Sequence, residues 1–276
     1  MRSWLALILL GLSCGIHAAD RNDIPSCYHY SKLDAERPAE SGRELVIVVD
    51  QTVKIPLDLK KSVWKHVIRY VQPGDRVVMY QFSALLQDNY MKRVFDGKLE
   101  AQFTNQKARN NMGMESLKNL DACLIKQKQY FDQGIGKMLA ASFAAEGDNI
   151  AKSEILDSLK RIAEDLKSDP APDKSVVLVS DMLENSDFGS FYSNNQIRLL
   201  APDKELARVT KQNLIADFSS AKVYVAGAGL IDTSAKNNYR SGKIMQQLEG
   251  FWQQYFTASN AELVSFGAPE LTVEIK

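Results

Sequence analysis

Histidine and cysteine are scarce in this chain, and neither sign of charge dominates. The 276 residues include three histidines and three cysteines, and 34 lysines and arginines balance 34 aspartates and glutamates. Zero net charge gives no overall field for nucleic acid or an anionic membrane, and there is no basic stripe with interleaved aromatic residues. Nucleic acid is therefore not expected as a partner. His29 and His66 lack the spacing of metal ligands, so a histidine-based metal site is not expected either.

Common catalytic motifs are also absent from the sequence. It contains no Gly-x-Ser-x-Gly nucleophile elbow and no phosphate-binding loop ending in Gly-Lys-Ser or Gly-Lys-Thr. The short "GAG" at Gly227–Gly229 does not make a dinucleotide-binding fingerprint, and it is more typical of a strand end. Hydrophobic residues make up 45% and charged residues 25% of the chain, as in an ordinary globular protein.

The N-terminus is typical of a secretory signal peptide. A basic start at Arg2 is followed by the apolar run "WLALILLGL" and the small residues of "HAAD", which predicts a signal peptide over residues 1–19 with cleavage after Ala18 or Ala19. A second interpretation is a lipoprotein signal with Cys14 as the lipidated residue. No other segment is apolar enough to cross a bilayer. The mature chain is therefore expected in the periplasm or secreted, with lipid anchoring through Cys14 as the alternative.

Two cysteines remain after cleavage, Cys27 and Cys123. An exported chain in an oxidising compartment favours a disulfide between them. Such a bond would tie the N-terminal extension, residues 20–42, to the middle of the chain. Two buried thiols are the alternative.

Aliphatic runs alternate with helical patterns from about residue 43 to the C-terminus. This order predicts an α/β fold with a mostly parallel central sheet and helices on both faces, a three-layer sandwich. The strand signals are separated by a largely helical stretch at about 84–146, which is expected to include a hairpin that turns at Asp96-Gly97. A helix is expected at about 203–219, and "LTVEI" near the C-terminus suggests an edge strand.

Two of the predicted strands end in an aspartate. "LVIVV" leads directly into Asp50, and "VVLVS" leads into Asp181. In parallel α/β sheets, ligands bind at the carboxyl ends of the strands. Both carboxylates are therefore expected at the binding edge of the sheet.

The ordered set "VIVVDQT", "QPGDRVVMYQFS", "VVLVSDMLEN" and "AKVYVAGAG" resembles a von Willebrand factor A-like domain. The order and spacing match over about 43–83 and 147–267. The resemblance implies one such domain at 43–276, with residues 84–146 as a helical insertion.

The resemblance also implies a metal-ion-dependent adhesion site for a divalent cation, usually Mg²⁺, which prefers oxygen ligands. Asp50 matches the first aspartate of that site, Thr52 the first hydroxyl and Asp181 the late aspartate. Ser153 is the candidate for the loop hydroxyl, with 148–149 as the alternative. Lys54 replaces the second hydroxyl. Its side chain either points away and leaves a weakened site, or pairs with the two aspartates in place of the metal.

An enzymatic alternative starts from the same strand end. "DQTVK" is similar to the start of haloacid-dehalogenase-like phosphohydrolases, in which Asp50 would be the nucleophile and Asp181 with Asp187 would hold magnesium. Such enzymes usually carry a second aspartate, as general acid, at the position of Thr52. The glycine-rich cap elements are also missing.

The sequence thus favours an exported, non-enzymatic module that binds a protein partner of unknown identity. The loop "ENSDFGSFYSNNQ" after Asp181 carries three aromatic residues among polar ones. An exposed aromatic loop there would suit protein recognition. The alternative is a loop that folds back on its own aromatic side chains.

Overall fold

The computed structural model describes residues 21–38, 42–82, 91–144, 153–193, 196–230, 242–267 and 269–276. The predicted signal peptide, Cys14 and the alternative loop ligands at 148–149 lie outside the described residues.

A six-stranded sheet forms the centre of the fold, in the order β10-β9-β4-β1-β2-β3. Every neighbouring pair is parallel except β2 and β3, which run antiparallel. Its strands are β1 (Glu44–Asp50), β2 (Arg76–Phe82), β3 (Met91–Lys98), β4 (Lys174–Val179), β9 (Ala221–Ala226) and β10 (Ala261–Gly267). Two short antiparallel pairs follow β4: β5 (Asn185–Ser186) with β6 (Gly189–Ser190), and β7 (Tyr192–Ser193) with β8 (Gln196–Ile197).

Helices connect the strands and cover the sheet. They are α1 (Cys27–Tyr30), α2 (Leu57–Tyr70), α3 (Gln106–Arg109), α4 (Met114–Ala144), α5 (Ile155–Ser168), α6 (Pro202–Lys211) and α7 (Gly242–Ala258), with a short 3-10 turn at Asp34–Glu36. None of the described helices combines the length and apolar character needed to cross a bilayer.

The core lies on both faces of the sheet. All seven residues of β1 are buried, as expected of a central strand in a parallel sheet. Alternate residues such as Val46 and Val48 pack with α5, α6 and α7, whereas Leu45 and Ile47 pack with α2 and α4 on the opposite face. The predicted α/β fold class, with helices on both faces of a mostly parallel sheet, is confirmed.

Three local predictions were wrong. Asp96 and Gly97 are not a turn but lie within β3, opposite Val78 and Val77, because pairing with β2 overrides the local turn preference. Helix α6 ends at Lys211, short of 219, and Asn213 beyond it has a φ of 56°. The segment "LTVEI", residues 271–275, forms no strand.

The N-terminal extension is tied to α4 and to the end of β3. Cys27 and Cys123 form a disulfide, which confirms the predicted bond. Glu100 accepts hydrogen bonds from Ser26 Oγ at 2.7 Å and from the Cys27 amide at 2.6 Å, and Gln127 Nε2 donates to the same carboxylate at 3.2 Å. The described parts of 84–146 are β3, α3 and α4; its assignment as an insertion stays a prediction.

Candidate functional site

Asp50 ends β1 and is fully buried. Its Oδ1 accepts hydrogen bonds from the Thr52 amide at 2.9 Å and from Thr52 Oγ1 at 2.6 Å. The turn after β1 thus folds back on the carboxylate that ends the strand, because Thr52 supplies two donors at a spacing that a tight turn can reach.

The other oxygen of Asp50 faces hydroxyl groups from two further segments. Ser180, directly after β4, donates to Oδ2 at 2.7 Å, and Ser153, just before α5, lies 3.4 Å from the same atom. Ser153 is held there by two backbone hydrogen bonds with Asn185. The ends of β1 and β4 and the start of α5 therefore meet at one carboxylate.

Asp181 follows Ser180 and is also buried. Its Oδ1 accepts the Leu183 amide at 2.8 Å, and its Oδ2 accepts the hydroxyl of Tyr192 at 2.7 Å. Tyr192 begins β7 and is part-buried. This second carboxylate is therefore held by its own loop.

The backbone beside Asp181 has an unusual conformation. Met182 is buried with a φ of 60°, a region that costs a non-glycine residue about 1 kcal/mol or more. Its carbonyl accepts a hydrogen bond from Trp252 Nε1 at 2.9 Å, and Gly229 N donates to the Asp181 carbonyl at 2.7 Å. These contacts from α7 and from the segment after β9 fix the conformation.

Burial decides the electrostatics of the two carboxyls. Desolvation raises the pKa of Asp50, although the hydrogen bonds from Thr52, Ser180 and Ser153 oppose the shift. Desolvation raises the pKa of Asp181 well above its usual range, and the nearby charge of Asp50 adds to the rise. The two carboxyls are thus within electrostatic reach of each other, and protons would compete with a cation for their oxygens.

A third buried carboxyl lies next to the site. Glu184 Oε2 accepts the Leu156 amide at 2.9 Å. This amide lies in the first turn of α5, where a negative charge interacts favourably with the helix dipole. Desolvation raises the pKa of Glu184 to about 7. Its contact is with the helix terminus, which gives it a structural role.

The structure brings Asp50, Thr52 and Ser153 into direct contact and places Asp181 beside them. Lys54 is exposed whereas both aspartates are buried. The two alternatives for its side chain, pointing away from the site or pairing with the two aspartates, both stay predictions. Sequence reasoning missed Ser180 as a partner of Asp50, although its position directly before Asp181 was a usable signal.

The aromatic loop after Asp181 folds back on itself. Phe188 is 7% exposed and Phe191 is fully buried, with the Phe191 ring in edge contact with Phe251 at 5.1 Å between centroids. The interpretation of an exposed aromatic loop is therefore wrong for Phe188 and Phe191, whose rings are buried, Phe191 against α7. The hydroxyl of Tyr192, the third aromatic residue of the loop, contacts Asp181. The sequence did not predict this contact.

The donor set fits a hard divalent cation. Within the described ranges, no group of three or more histidine, cysteine, aspartate and glutamate side chains could hold a metal ion, so hydroxyl ligands would have to contribute. Asp50, Thr52, Ser153 and Asp181 offer only oxygen atoms, which Mg²⁺ prefers. Octahedral coordination would need further oxygens from water or from a bound partner.

Comparisons with known proteins yielded matches among solved structures alone: no family model and no curated protein matches the chain. The pilus adhesin SpaC from Lactobacillus rhamnosus GG, in an open conformation, is 12% identical, with 83% of this chain and 28% of that chain covered and a TM-score of 0.39. The PilB minor pilin from Streptococcus sanguinis is 13% identical, with 83% of this chain and 58% of that chain covered and a TM-score of 0.35.

The similar structures also include a vWF domain. It comes from the type V pili tip protein Mfa5 from Porphyromonas gingivalis, with 16% identity, 53% of this chain and 40% of that chain covered, and a TM-score of 0.27. This chain spans less than two thirds of each of these three proteins. The fold class of this chain is shown by its own strand order and strand directions.

Proposed function

We propose that this chain is an exported, non-enzymatic binding module of the von Willebrand factor A type, whose binding face lies at the carboxyl ends of β1 and β4. The observation that carries the proposal is the oxygen cluster at that edge, in which Thr52 and Ser153 contact the Asp50 carboxylate and Asp181 stands beside it. This is the edge at which open α/β sheets bind ligands.

A divalent cation is the ligand that this cluster suits best. Asp50, Thr52, Ser153 and Asp181 would hold Mg²⁺, and the cation would supply a positive centre for an acidic side chain of a protein partner. Thr52 is part-buried while Asp50 is fully buried, so a partner would approach from the side of Thr52. Lys54, exposed on the same turn, would then add a second positive charge near the approaching acid.

Export is supported by the disulfide as well as by the N-terminal pattern. Cys27 and Cys123 are bonded, and stable disulfides are typical of oxidising compartments. Intact-mass measurement of the protein purified from its native membrane and soluble fractions would separate the two leader interpretations. A chain starting at Ala19 or Asp20 would indicate ordinary cleavage, and a chain starting at a lipid-modified Cys14 would indicate anchoring.

Calorimetric titration of the metal-stripped mature protein with Mg²⁺, Ca²⁺ and Mn²⁺ tests the cation site. We expect binding that Asp181→Ala abolishes and that Lys54→Ser strengthens, because a hydroxyl replaces an ammonium in the motif. Asp58→Asn, at an exposed acid in the first turn of α2, should bind as the wild type does. Absence of binding by both the wild type and Lys54→Ser would contradict the cation site.

The phosphohydrolase alternative has weaker support. Asp50 would have to attack a phosphate, but its carboxylate is fully buried and both oxygens accept hydrogen bonds from neighbouring side chains. A general acid is expected at Thr52 and is absent. Assays with generic phosphate esters and Mg²⁺ should show no turnover that depends on Asp50. Sustained hydrolysis lost in Asp50→Asn would overturn the proposal.

A further inference from the structure

Every carboxylate oxygen of the candidate cation site already has a donor from the protein. Asp50 Oδ1 accepts from Thr52, and Asp50 Oδ2 from Ser180 and Ser153. Asp181 Oδ1 accepts the Leu183 amide, and Oδ2 accepts Tyr192. A cation that binds here must replace at least one of these hydrogen bonds.

These donors differ in what they would do when a cation arrives. The hydroxyl groups of Thr52 and Ser153 belong to the candidate ligands, and each can turn its hydrogen away and present a lone pair to the metal. The Leu183 amide uses only one oxygen of Asp181. Tyr192 occupies the other oxygen of that carboxylate and, like Ser180 at Asp50, stands outside the proposed ligand set.

The backbone just before Tyr192 is held through both polar groups of Phe191. Phe191 N donates to the Glu184 carbonyl at 2.8 Å, and Arg198 N donates to the Phe191 carbonyl at 2.7 Å. The Phe191 ring is buried in the core. Tyr192 can therefore leave Asp181 most readily by rotation of its own part-buried side chain, without movement of the loop.

We propose that Tyr192 is a gate residue of this site, whose hydroxyl holds Asp181 Oδ2 until a cation displaces it. The proposal rests on the proposed function, since it presumes that the site binds a cation. It adds a specific positioning role for a tyrosine that is not itself a ligand. Cation affinity would then be set in part by the strength of one hydrogen bond between Tyr192 and Asp181.

Tyr192→Phe tests the gate because it removes the hydroxyl and keeps the ring. We expect Mg²⁺ and Mn²⁺ to bind Tyr192→Phe about tenfold more tightly than the wild type, because a hydrogen bond to a carboxylate no longer has to be broken. Calorimetric titration of the full mature chain at pH 9, where fewer protons compete for the carboxylates, measures the difference. An affinity of Tyr192→Phe that is equal to or lower than that of the wild type would overturn the gate.

Tyr80→Phe is the matched control. Tyr80 is also part of a tyrosine–aspartate hydrogen bond, to Asp165 Oδ2 at 2.5 Å, but neither residue belongs to the site. The cation affinity of the Tyr80→Phe variant should equal that of the wild type. An equal gain in Tyr80→Phe would mean that the effect is not specific to Tyr192 and would overturn the proposal.

A second measurement uses the unmutated protein. Cation addition should change the near-ultraviolet absorption of a tyrosine that loses its carboxylate acceptor, and the change should be absent from Tyr192→Phe. Cation binding without this tyrosine signal would overturn the gate and leave the cation site intact. Failure of every variant to bind any of the cations would overturn the cation site and the gate together, so the two failures are distinguishable.

Discussion

The hydroxyl of Ser180 donates a hydrogen bond to Asp50 Oδ2 at 2.7 Å. This contact joins the end of β4 to the end of β1 through side chains, where the backbone ladder between the two strands stops at Val49 and Val179. Ser180 Oγ also accepts the amide of Met182 at 3.0 Å. One serine thus supports both the buried carboxylate and the unusual backbone that follows Asp181.

Ser180→Ala should therefore destabilise the protein. The buried Asp50 carboxyl loses a donor and the Met182 amide loses an acceptor, so we expect the free energy of unfolding to fall by about 1–3 kcal/mol. Denaturant unfolding of the metal-stripped protein measures it. Ser168→Ala removes an exposed hydroxyl that bonds the Asp165 carbonyl and should cost about 0.5 kcal/mol or less. Equal losses in the two variants would contradict the role given to Ser180.

Phe191 provides a test of whether the aromatic loop belongs to the core. Its ring is fully buried against Phe251 and Trp252, so Phe191→Ala should cost about 3–5 kcal/mol of unfolding free energy. Tyr30→Ala, at a residue that is 70% exposed, should change it by about 0.5 kcal/mol or less. A small effect of Phe191→Ala in thermal and denaturant unfolding would restore the interpretation of an exposed recognition loop.

The disulfide makes a separate prediction about the N-terminal extension. Cys27 and Cys123 are 96 residues apart, and a bond closing so long a loop restricts the unfolded chain strongly. Replacing both cysteines by serine should lower the free energy of unfolding by about 2–4 kcal/mol. Limited proteolysis should then cut first within residues 21–38. Unchanged stability and an unchanged cleavage pattern would contradict this prediction and would show that noncovalent contacts, such as those of Glu100, hold the extension without the disulfide.

The strand ends were predictable because their signal is local. Continuous aliphatic runs predict buried parallel strands, and the residue that ends such a run must lie at the edge of the sheet. Asp50 and Asp181 follow directly from that rule. The contact of Ser153 with Asp50 was expected only through the resemblance to a known family, because 103 residues separate them.

Interactions that depend on register or loop folding were not predictable. Asp96-Gly97 has the composition of a turn, yet pairing with β2 keeps it in a strand, where Asp96 accepts Arg76 Nη2 at 2.8 Å. Tyr192 reaches Asp181 only because two short strand pairs fold the loop back. No periodicity in the sequence encodes either arrangement, since each is decided by contacts between distant segments.

Glu44, at the first position of β1, is a buried carboxyl away from the candidate site. Its side chain is 4% exposed, and Oε1 lies 3.8 Å from Arg76 Nη1. Within the described part of the chain, Oε2 has no hydrogen-bond partner. Desolvation and the nearby charge of Asp169 raise the pKa of Glu44 to about 8, and the attraction of Arg76 opposes the shift.

Glu44 should make the protein less stable as the pH rises. Its ordinary pKa is 4.5 and its folded pKa is about 8, so between these values the folded state holds a proton that the unfolded state has released. The stabilising contribution is complete below about pH 4.5 and is lost as the pH rises through about 8. Glu44→Gln keeps the shape and cannot ionise. We expect it to match the wild type near pH 4 and to exceed its unfolding free energy by about 1–3 kcal/mol at pH 9.

Urea unfolding of the wild type and Glu44→Gln across pH 4 to 9 measures this difference, and subtraction removes the contribution of other buried acids such as Asp181. Glu274→Gln is the control, because that glutamate is more than half exposed in its pair with Arg69 and surface pairs contribute little. Its stability profile should run parallel to that of the wild type. A parallel profile for Glu44→Gln as well would mean that Glu44 is ionised in the folded protein at neutral pH, and that Arg76 compensates for its burial.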